Sequence, residues 1–324
     1  MMSLRTFYDS RMRIPELIEA AADGGEPCFS FEFFPPKTEE GVAALFESIE
    51  DLNRLEPSFV SVTYGAGGTT RDGTVEITTR IKRDYGIETM AHLSVVGETP
   101  AGLDAILDRL GEAGIENILA LRGDPPRGDA DFTPPPDGLQ SSAELAGFIR
   151  GRESTSGFGI GASCHPEIHP EAPSAEADIA FLREKVDAGA EFLVSQLFFD
   201  NAVYFDWVER VREAGIEVPI VPGILPIISR EGLHRFCDVC KAHIPERLDE
   251  QLAALDGDPD AERSFGIAYA SLQCEQLLAA GAPGIHFFVL NRATSVKAIL
   301  GAIKAGRPWE RTGGEILAAS QGTN

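Results

Sequence analysis

Long apolar runs are missing from this 324-residue chain. None approaches the ~20 residues that a helix needs to span a bilayer. The opening stretch, MMSLRTFYDSRMRIPEL, scatters charges where a secretory signal would carry an apolar core. Basic residues are scarce: 28 Lys and Arg stand against 51 Asp and Glu, for a formal net charge of −23. A general nucleic-acid binder needs the opposite balance to neutralise phosphates, and docking on anionic lipid needs it too. Solubility, or a salty or warm habitat, accounts for the acidity. Cysteine is sparse. Cys28, Cys164, Cys237, Cys240 and Cys274 are few for this length and odd in number, as expected of reduced thiols in a cytoplasm. Cys237 and Cys240 form a CxxC inside a helical pattern with no second pair nearby, which reads as helix packing before zinc or redox chemistry. No GxxxxGK[ST] stretch is present, which excludes a Walker-type phosphate loop. Gly157-Phe-Gly-Ile-Gly161 precedes a strand where a dinucleotide-binding turn would follow one.

Eight short apolar runs punctuate the chain: 28–34, 58–64, 89–95, 117–123, 158–164, 191–199, 218–225 and 284–290. Helical periodicity fills the gaps. In 39–55, Val42, Leu45, Phe46, Ile49 and Leu52 recur at three- and four-residue steps, and Pro57 follows as a stop. In 174–190, Ser174 is an N-cap candidate and Gly189 lies near the end. The last interval is about double the others and has room for helices over 229–243 and 259–280, separated by an acidic loop over 249–260. Strands alternating with helices imply parallel βαβ units. Eight of them suggest an α/β fold of the (β/α)8 TIM-barrel type, one domain over 1–310 with a flexible tail over 311–324. Glu32, Thr63, His92, Arg122, Asp124, His165, Gln196 and Asn291 all fall late in a strand or just after it. A barrel gathers those ends at one mouth, where active sites sit. The stretch 123–138, GDPPRGDADFTPPPDG, reads as a long loop over that mouth.

Several of these residues admit more than one reading. His165 and His169, in HPEIHP, suit a metal, a cofactor contact or loop structure. A metal-dependent barrel hydrolase would use them with His92, but no HxH marks the first strand. Arg122-Gly123-Asp124 suits a ligand with amide and phosphate groups, or a structural ion pair. Asp178 and Lys185 share a helix face two turns apart, usually a solvated face. Phe236 reads on spacing as core. Glu32 sits in FSFEFFPP among phenylalanines. It is either a buried salt-bridge partner or a carboxyl raised by desolvation that serves as a general acid; its place at the end of the first strand favours the acid.

The motifs FSFEFFPPK, FVSVTYGAGG, AHLS, LALRGDPP, HPEIHPEA, KVDAGAEFLVSQLFFD, PIVPGILP and HFFVLNR, in this order from about residue 27 to 305, resemble the methylenetetrahydrofolate reductase family. The resemblance implies a barrel holding FAD at its mouth. It implies the reaction 5,10-methylenetetrahydrofolate + NAD(P)H → 5-methyltetrahydrofolate + NAD(P)⁺, feeding methionine synthesis, by hydride transfer through flavin N5 with each substrate stacking on the flavin in turn. Glu32 matches the general acid that protonates N10 to open the folate's imidazolidine ring, and the phenylalanines are expected to keep it protonated. Asp124 matches the carboxylate near flavin and pterin. Gln196 and Phe236 match contacts to both substrates, and Arg292 is a folate-side candidate. Thr63, Tyr64, His92, Arg122, Gly123, Asp124, His169, Asp178 and Lys185 match positions lining FAD; Asp178 suits a sugar hydroxyl, and Arg122 and Lys185 suit the pyrophosphate. Ser141 and His165 match two more FAD-side positions but depart from the family's usual tyrosines, and Phe288 lacks a hydroxyl the family often has. A flavin-independent reductase variant therefore stays open. No resident metal is implied. Barrels of this kind often form homo-oligomers. The chain ends soon after the eighth unit, which implies no allosteric control by S-adenosylmethionine.

Overall fold

The computed structural model describes residues 13–64, 71–124, 133 and 135–311. The elements run α1 (Ile14–Gly24), β1 (Cys28–Phe33), α2 (Glu39–Asn53), β2 (Phe59–Val62), α3 (Arg71–Tyr85), β3 (Thr89–Ser94), α4 (Pro100–Glu112), β4 (Asn117–Leu121), α5 (Ser142–Gly151) and β5 (Gly159–Cys164). They continue with α6 (Ala175–Asp187), β6 (Phe192–Ser195), α7 (Asn201–Glu213), β7 (Ile220–Val221), β8 (Gly223–Ile224), α8 (Arg230–Cys240), α9 (Glu246–Ala253), α10 (Pro259–Ala279), β9 (Gly284–Phe288) and α11 (Ala293–Gly306). Thr38, Thr99, Ser141, Ser174, Asp200, Ser229 and Asp258 each cap a helix by accepting a backbone N–H in its first turn. Each such cap stabilises by about 1 kcal/mol.

Every strand pairing is parallel, in the order β7-β6-β5-β4-β3-β2-β1-β9-β8. β7 and β8 are two halves of the expected strand over 218–225, broken at Pro222, which has no N–H for a ladder. β7 pairs with β6, β8 pairs with β9, and His286 N donates to Pro222 O at 2.9 Å. The ring thus closes through the break, giving a single-domain (β/α)8 barrel.

Strand alternation divides the core into two layers. On β1, Phe29, Phe31 and Phe33 point outward into the layer between barrel and helices, beside Leu45, Ile49 and Phe287. Cys28, Ser30 and Glu32 take the inward face: Cys28 packs with Phe59, Met90, Leu119 and Phe192 inside the barrel, and Ser30 and Glu32 meet side chains of facing strands. α1 was not expected. Its Ile14 and Ile18 join the inner cluster, and Ile14 N donates to the buried Asn117 Oδ1 at 2.8 Å, so the helix closes the N-terminal end of the barrel. A second correction concerns 249–260. The first five residues of this expected acidic loop belong to α9, whose Leu248 and Leu252, four residues apart, are buried against Leu233 and Cys237 of α8. The expected tail beyond Arg311 and most of the stretch 123–138 lie outside the described residues.

Candidate active site

Glu32 ends β1 on its inward face and is 6% exposed. His92 of β3 and His286 of β9 both bring Nε2 to 3.3 Å from one carboxylate oxygen, Oε2. The His286 approach is a hydrogen bond. The His92 approach is off-line, and His92 Nε2 has no hydrogen-bond partner among the described residues. Glu32 Oε1 makes no hydrogen bond or ion pair among them either. Desolvation pushes the Glu32 carboxyl up, but the charge of His92 and the hydrogen bond of His286 outweigh it and hold the group at about 2. This corrects the expectation that phenylalanines keep Glu32 protonated. Period-two alternation turns their rings to the other face of the strand, and histidines take their place around the carboxyl.

His286 is itself fixed. Its Nδ1 lies 2.8 Å from Ser30 Oγ. Its ring is stacked at 6.3 Å on Phe59 and meets Phe288 edge-on at 5.5 Å. Neither Ser30 nor His286 was singled out in the sequence, although a histidine in the middle of GIHFF and a serine two residues before Glu32 were the available signals.

Residues after β2 to β6 form the opposite side of the mouth. Thr63 follows β2 and is half-buried, its carbonyl accepting from Thr74 Oγ1 at 2.9 Å. Tyr64 donates its hydroxyl to the buried Glu98 at 2.9 Å. Gly123 has φ +82, and a Cβ there would stand 1.9 Å from Ser94 Oγ, so β3 and β4 approach too closely for any side chain. Asp124 beside it is exposed. Arg122 forms an ion pair with Glu171, which raises the guanidinium further and lowers the Glu171 carboxyl. Ser141 caps α5, its Oγ accepting from Glu144 N at 3.1 Å.

His165 and His169 pack ring edge to face at 4.6 Å. Burial, with the fields of His169 and Lys185, holds His165 down to about 3, so its ring is neutral in the folded protein. His169 N donates to Asp178 Oδ2 at 3.1 Å, and desolvation raises that carboxyl. Lys185 Nζ donates to Ser163 O at 2.8 Å. Desolvation lowers its ammonium, and the nearby charge of Arg122 works in the same direction. Asp178 and Lys185 therefore do not lie on a solvated face. Gln196 Oε1 accepts from Leu197 N at 2.9 Å, which orients the amide and turns its NH₂ away from the backbone.

A cavity of about 210 Å³ lies over the ends of β8 and β9, lined among others by Leu225, Ile227, Leu233, Phe236, Leu290 and Arg292. Phe236 on α8 is half-buried, packed on the Leu233–Leu252 cluster while facing this cavity. It therefore packs on the core, as its spacing implies, and also presents surface to the cavity. Asn291, by contrast, is a clip: its Oδ1 accepts from Phe34 N at 3.0 Å and its Nδ2 donates to Phe34 O at 2.8 Å. Among the described residues, no group of three or more His, Cys, Asp or Glu could hold a metal ion, and no helix is long and apolar enough to cross a membrane.

The family model described as methylenetetrahydrofolate reductase matches residues 17–304. The 5,10-methylenetetrahydrofolate reductase of Escherichia coli K12 is 38% identical over 275 residues, covering 85% of this chain and 90% of the relative. The Arabidopsis thaliana protein named methylenetetrahydrofolate reductase (NADH) 1 is 37% identical over 317 residues, covering 93% of this chain and 53% of its own length. This chain thus spans about half the length of the plant relatives it matches. A Clostridium thermocellum protein that binds two copies of 5-methyl-5,6,7,8-tetrahydrofolic acid shares the fold, with a TM-score of 0.60 at 16% identity, over 91% of this chain and all of that one. With a family match over nearly its whole length and a barrel mouth that gathers the motif residues, this chain belongs to the methylenetetrahydrofolate reductase family.

Proposed function

We propose that this chain reduces 5,10-methylenetetrahydrofolate to 5-methyltetrahydrofolate with NAD(P)H, using FAD at the barrel mouth. The observation that carries this reading is Glu32: a buried carboxylate at a strand end with two histidines drawn up to one oxygen and no hydrogen bond or ion pair to the other among the described residues. FAD, when bound, supplies the relay that takes a hydride from the nicotinamide and passes it to the folate. The residues present fit such a group. The charge of Arg122 reaches Lys185 and helps to lower its ammonium, so both cations lie on the side of the mouth where a pyrophosphate would pair with them. Asp178 would accept from hydroxyls of a sugar, and Gly123 keeps the backbone low between β3 and β4.

Glu32 would give a proton to N10 of the folate, so that the N10–methylene bond breaks and the ring opens to an iminium at N5. In the ligand-free protein the carboxyl is held low. A folate covering the mouth adds desolvation, which favours proton uptake from water before the transfer. Gln196 offers its NH₂ to the pterin or the nicotinamide carboxamide. Phe236 supplies a face for ring stacking, and Arg292 a cation for the folate glutamate, across the cavity they share.

The test is an FAD titration of the purified chain followed by an assay for 5-methyltetrahydrofolate. Saturable FAD binding and folate turnover with NADH or NADPH support the reading. Turnover without flavin binding would instead establish a flavin-independent reductase, and absence of both would overturn the assignment.

A further inference from the structure

The Ser30–His286–Glu32 chain goes beyond a single acid. Both histidines converge on Oε2 of Glu32 and leave Oε1 without a partner among the described residues. His286 is fully buried, with Ser30 at Nδ1 and Glu32 at Nε2. Among the described residues the rings of Phe59 and Phe288 also face it, and they offer no acceptor. The groups facing Glu32 are His92 from β3 and His286 from β9, with Ser61 level with it on β2.

A neutral imidazole has one N–H and one lone pair. A carboxylate only accepts, so the stable pairing places the ring proton on Nε2, toward Glu32. Nδ1 is then the acceptor, and the Ser30 hydroxyl donates to it. This arrangement satisfies all three groups, and the opposite tautomer would set a lone pair against the carboxylate.

We propose that Ser30 and His286 are positioning residues which lock the Nε2–H tautomer onto Glu32 Oε2, so that the acid proton sits on Oε1 and leaves from there. This rests on Glu32 being the acid of the proposed reaction. When Oε1 releases its proton to folate N10, the charge formed on the carboxylate is received by the Nε2–H already in place. Only one O–H bond breaks and one N–H bond forms; the ring and the serine keep their protons. The pair tunes how readily Glu32 gives its proton and plays no part in flavin reduction by the nicotinamide.

Two measurements on the full chain test this. The first is ¹⁵N NMR of histidine-labelled protein near neutral pH, with His286 assigned by its absence in His286→Gln. The expected state is neutral, protonated at Nε2, and it becomes a tautomer mixture in Ser30→Ala. A charged ring, an Nδ1–H ring, or a tautomer unmoved by Ser30→Ala overturns the proposal. The second is the pH profile of the folate half-reaction in Ser30→Ala. Loosening one hydrogen bond to the carboxylate, worth about one pH unit, should move the limb that falls at high pH upward by that amount. Flavin reduction by NADH should stay within about twofold, because that step takes no proton from an acid. An unmoved limb, or an equal fall in both half-reactions, overturns the tuning role. If the chain turns over no folate, the functional reading fails, and the NMR tautomer alone decides the lock.

Discussion

The two sides of the barrel mouth are built differently. On the β9–β1 side, Glu32, His286 and Ser30 lie within strands, are buried, and are fixed by ladder register and by one another. On the β4–β6 side, Arg122, Asp124, His165 and His169 follow strand ends on loops, and Arg122 and Asp124 are exposed. Proton transfer needs a donor placed within a few tenths of an ångström and degrees of its acceptor. Capture of a flexible diphosphate needs charge that can adapt. Under the proposed function, the rigid side suits the chemistry and the adaptable side suits cofactor binding. Glu171 sharpens the contrast, because the ion pair it makes with Arg122 must rearrange for the guanidinium to reach an anion.

The largest effect is expected on the rigid side. Glu32→Gln should slow the folate half-reaction by about 10²–10⁴-fold, the usual contribution of a general acid. Flavin reduction by NADH should be nearly unchanged, as read by stopped-flow absorbance. Equal losses would erase the distinction between the two sides. On the adaptable side, Arg122→Ala should weaken FAD binding by about 10- to 100-fold, the loss of a hydrogen bond to a charged group. A flavin fluorescence titration reads it, and an unchanged affinity would place the pyrophosphate elsewhere.

Gly123→Ala tests the seam between the sides. A Cβ at φ +82, 1.9 Å from Ser94 Oγ, should cost about 1–3 kcal/mol of stability, measured by urea unfolding, and should also weaken FAD binding. The smallest effect concerns His165. Desolvation holds it near 3 against 6.5 for a free side chain. Protonation below about 6.5 therefore favours the unfolded chain, and stability is lost as pH falls toward 3. His165→Tyr should match the parent at about pH 7 and lose less stability than the parent by about pH 5, a range above the 4.5-to-2 window in which Glu32 protonates. Parallel unfolding midpoints for the two proteins would show that burial of His165 carries no acid sensitivity.

The barrel was legible because eight short apolar runs alternate with segments of helical periodicity, and because polar residues fall at the ends of those runs. Two helices escaped. α1 fully buries just Ile14 and Ile18, with Leu17 and Ala21 packed beside them, and α9 hides Leu248 and Leu252 in an acidic stretch. At the site, residues that end strands were legible by position, among them Glu32, Arg122 and Gln196. The partners of Glu32 were not, because which side chains meet across a closed barrel depends on the stagger between strands. That stagger puts His286, 254 residues away, on the same oxygen as His92. The same ignorance led to the wrong direction for the Glu32 carboxyl: chain neighbours suggested phenylalanines, and the fold supplied histidines.

The central claim is that one mouth passes electrons from a nicotinamide through a flavin to a folate. The most direct measurement is an anaerobic absorbance titration of the FAD-loaded protein, first with NADH and then with 5,10-methylenetetrahydrofolate. The account predicts bleaching of the flavin bands by NADH and their full return on adding the folate, with stoichiometric 5-methyltetrahydrofolate. Bleached flavin that the folate does not reoxidise, or flavin that NADH does not bleach, would contradict it.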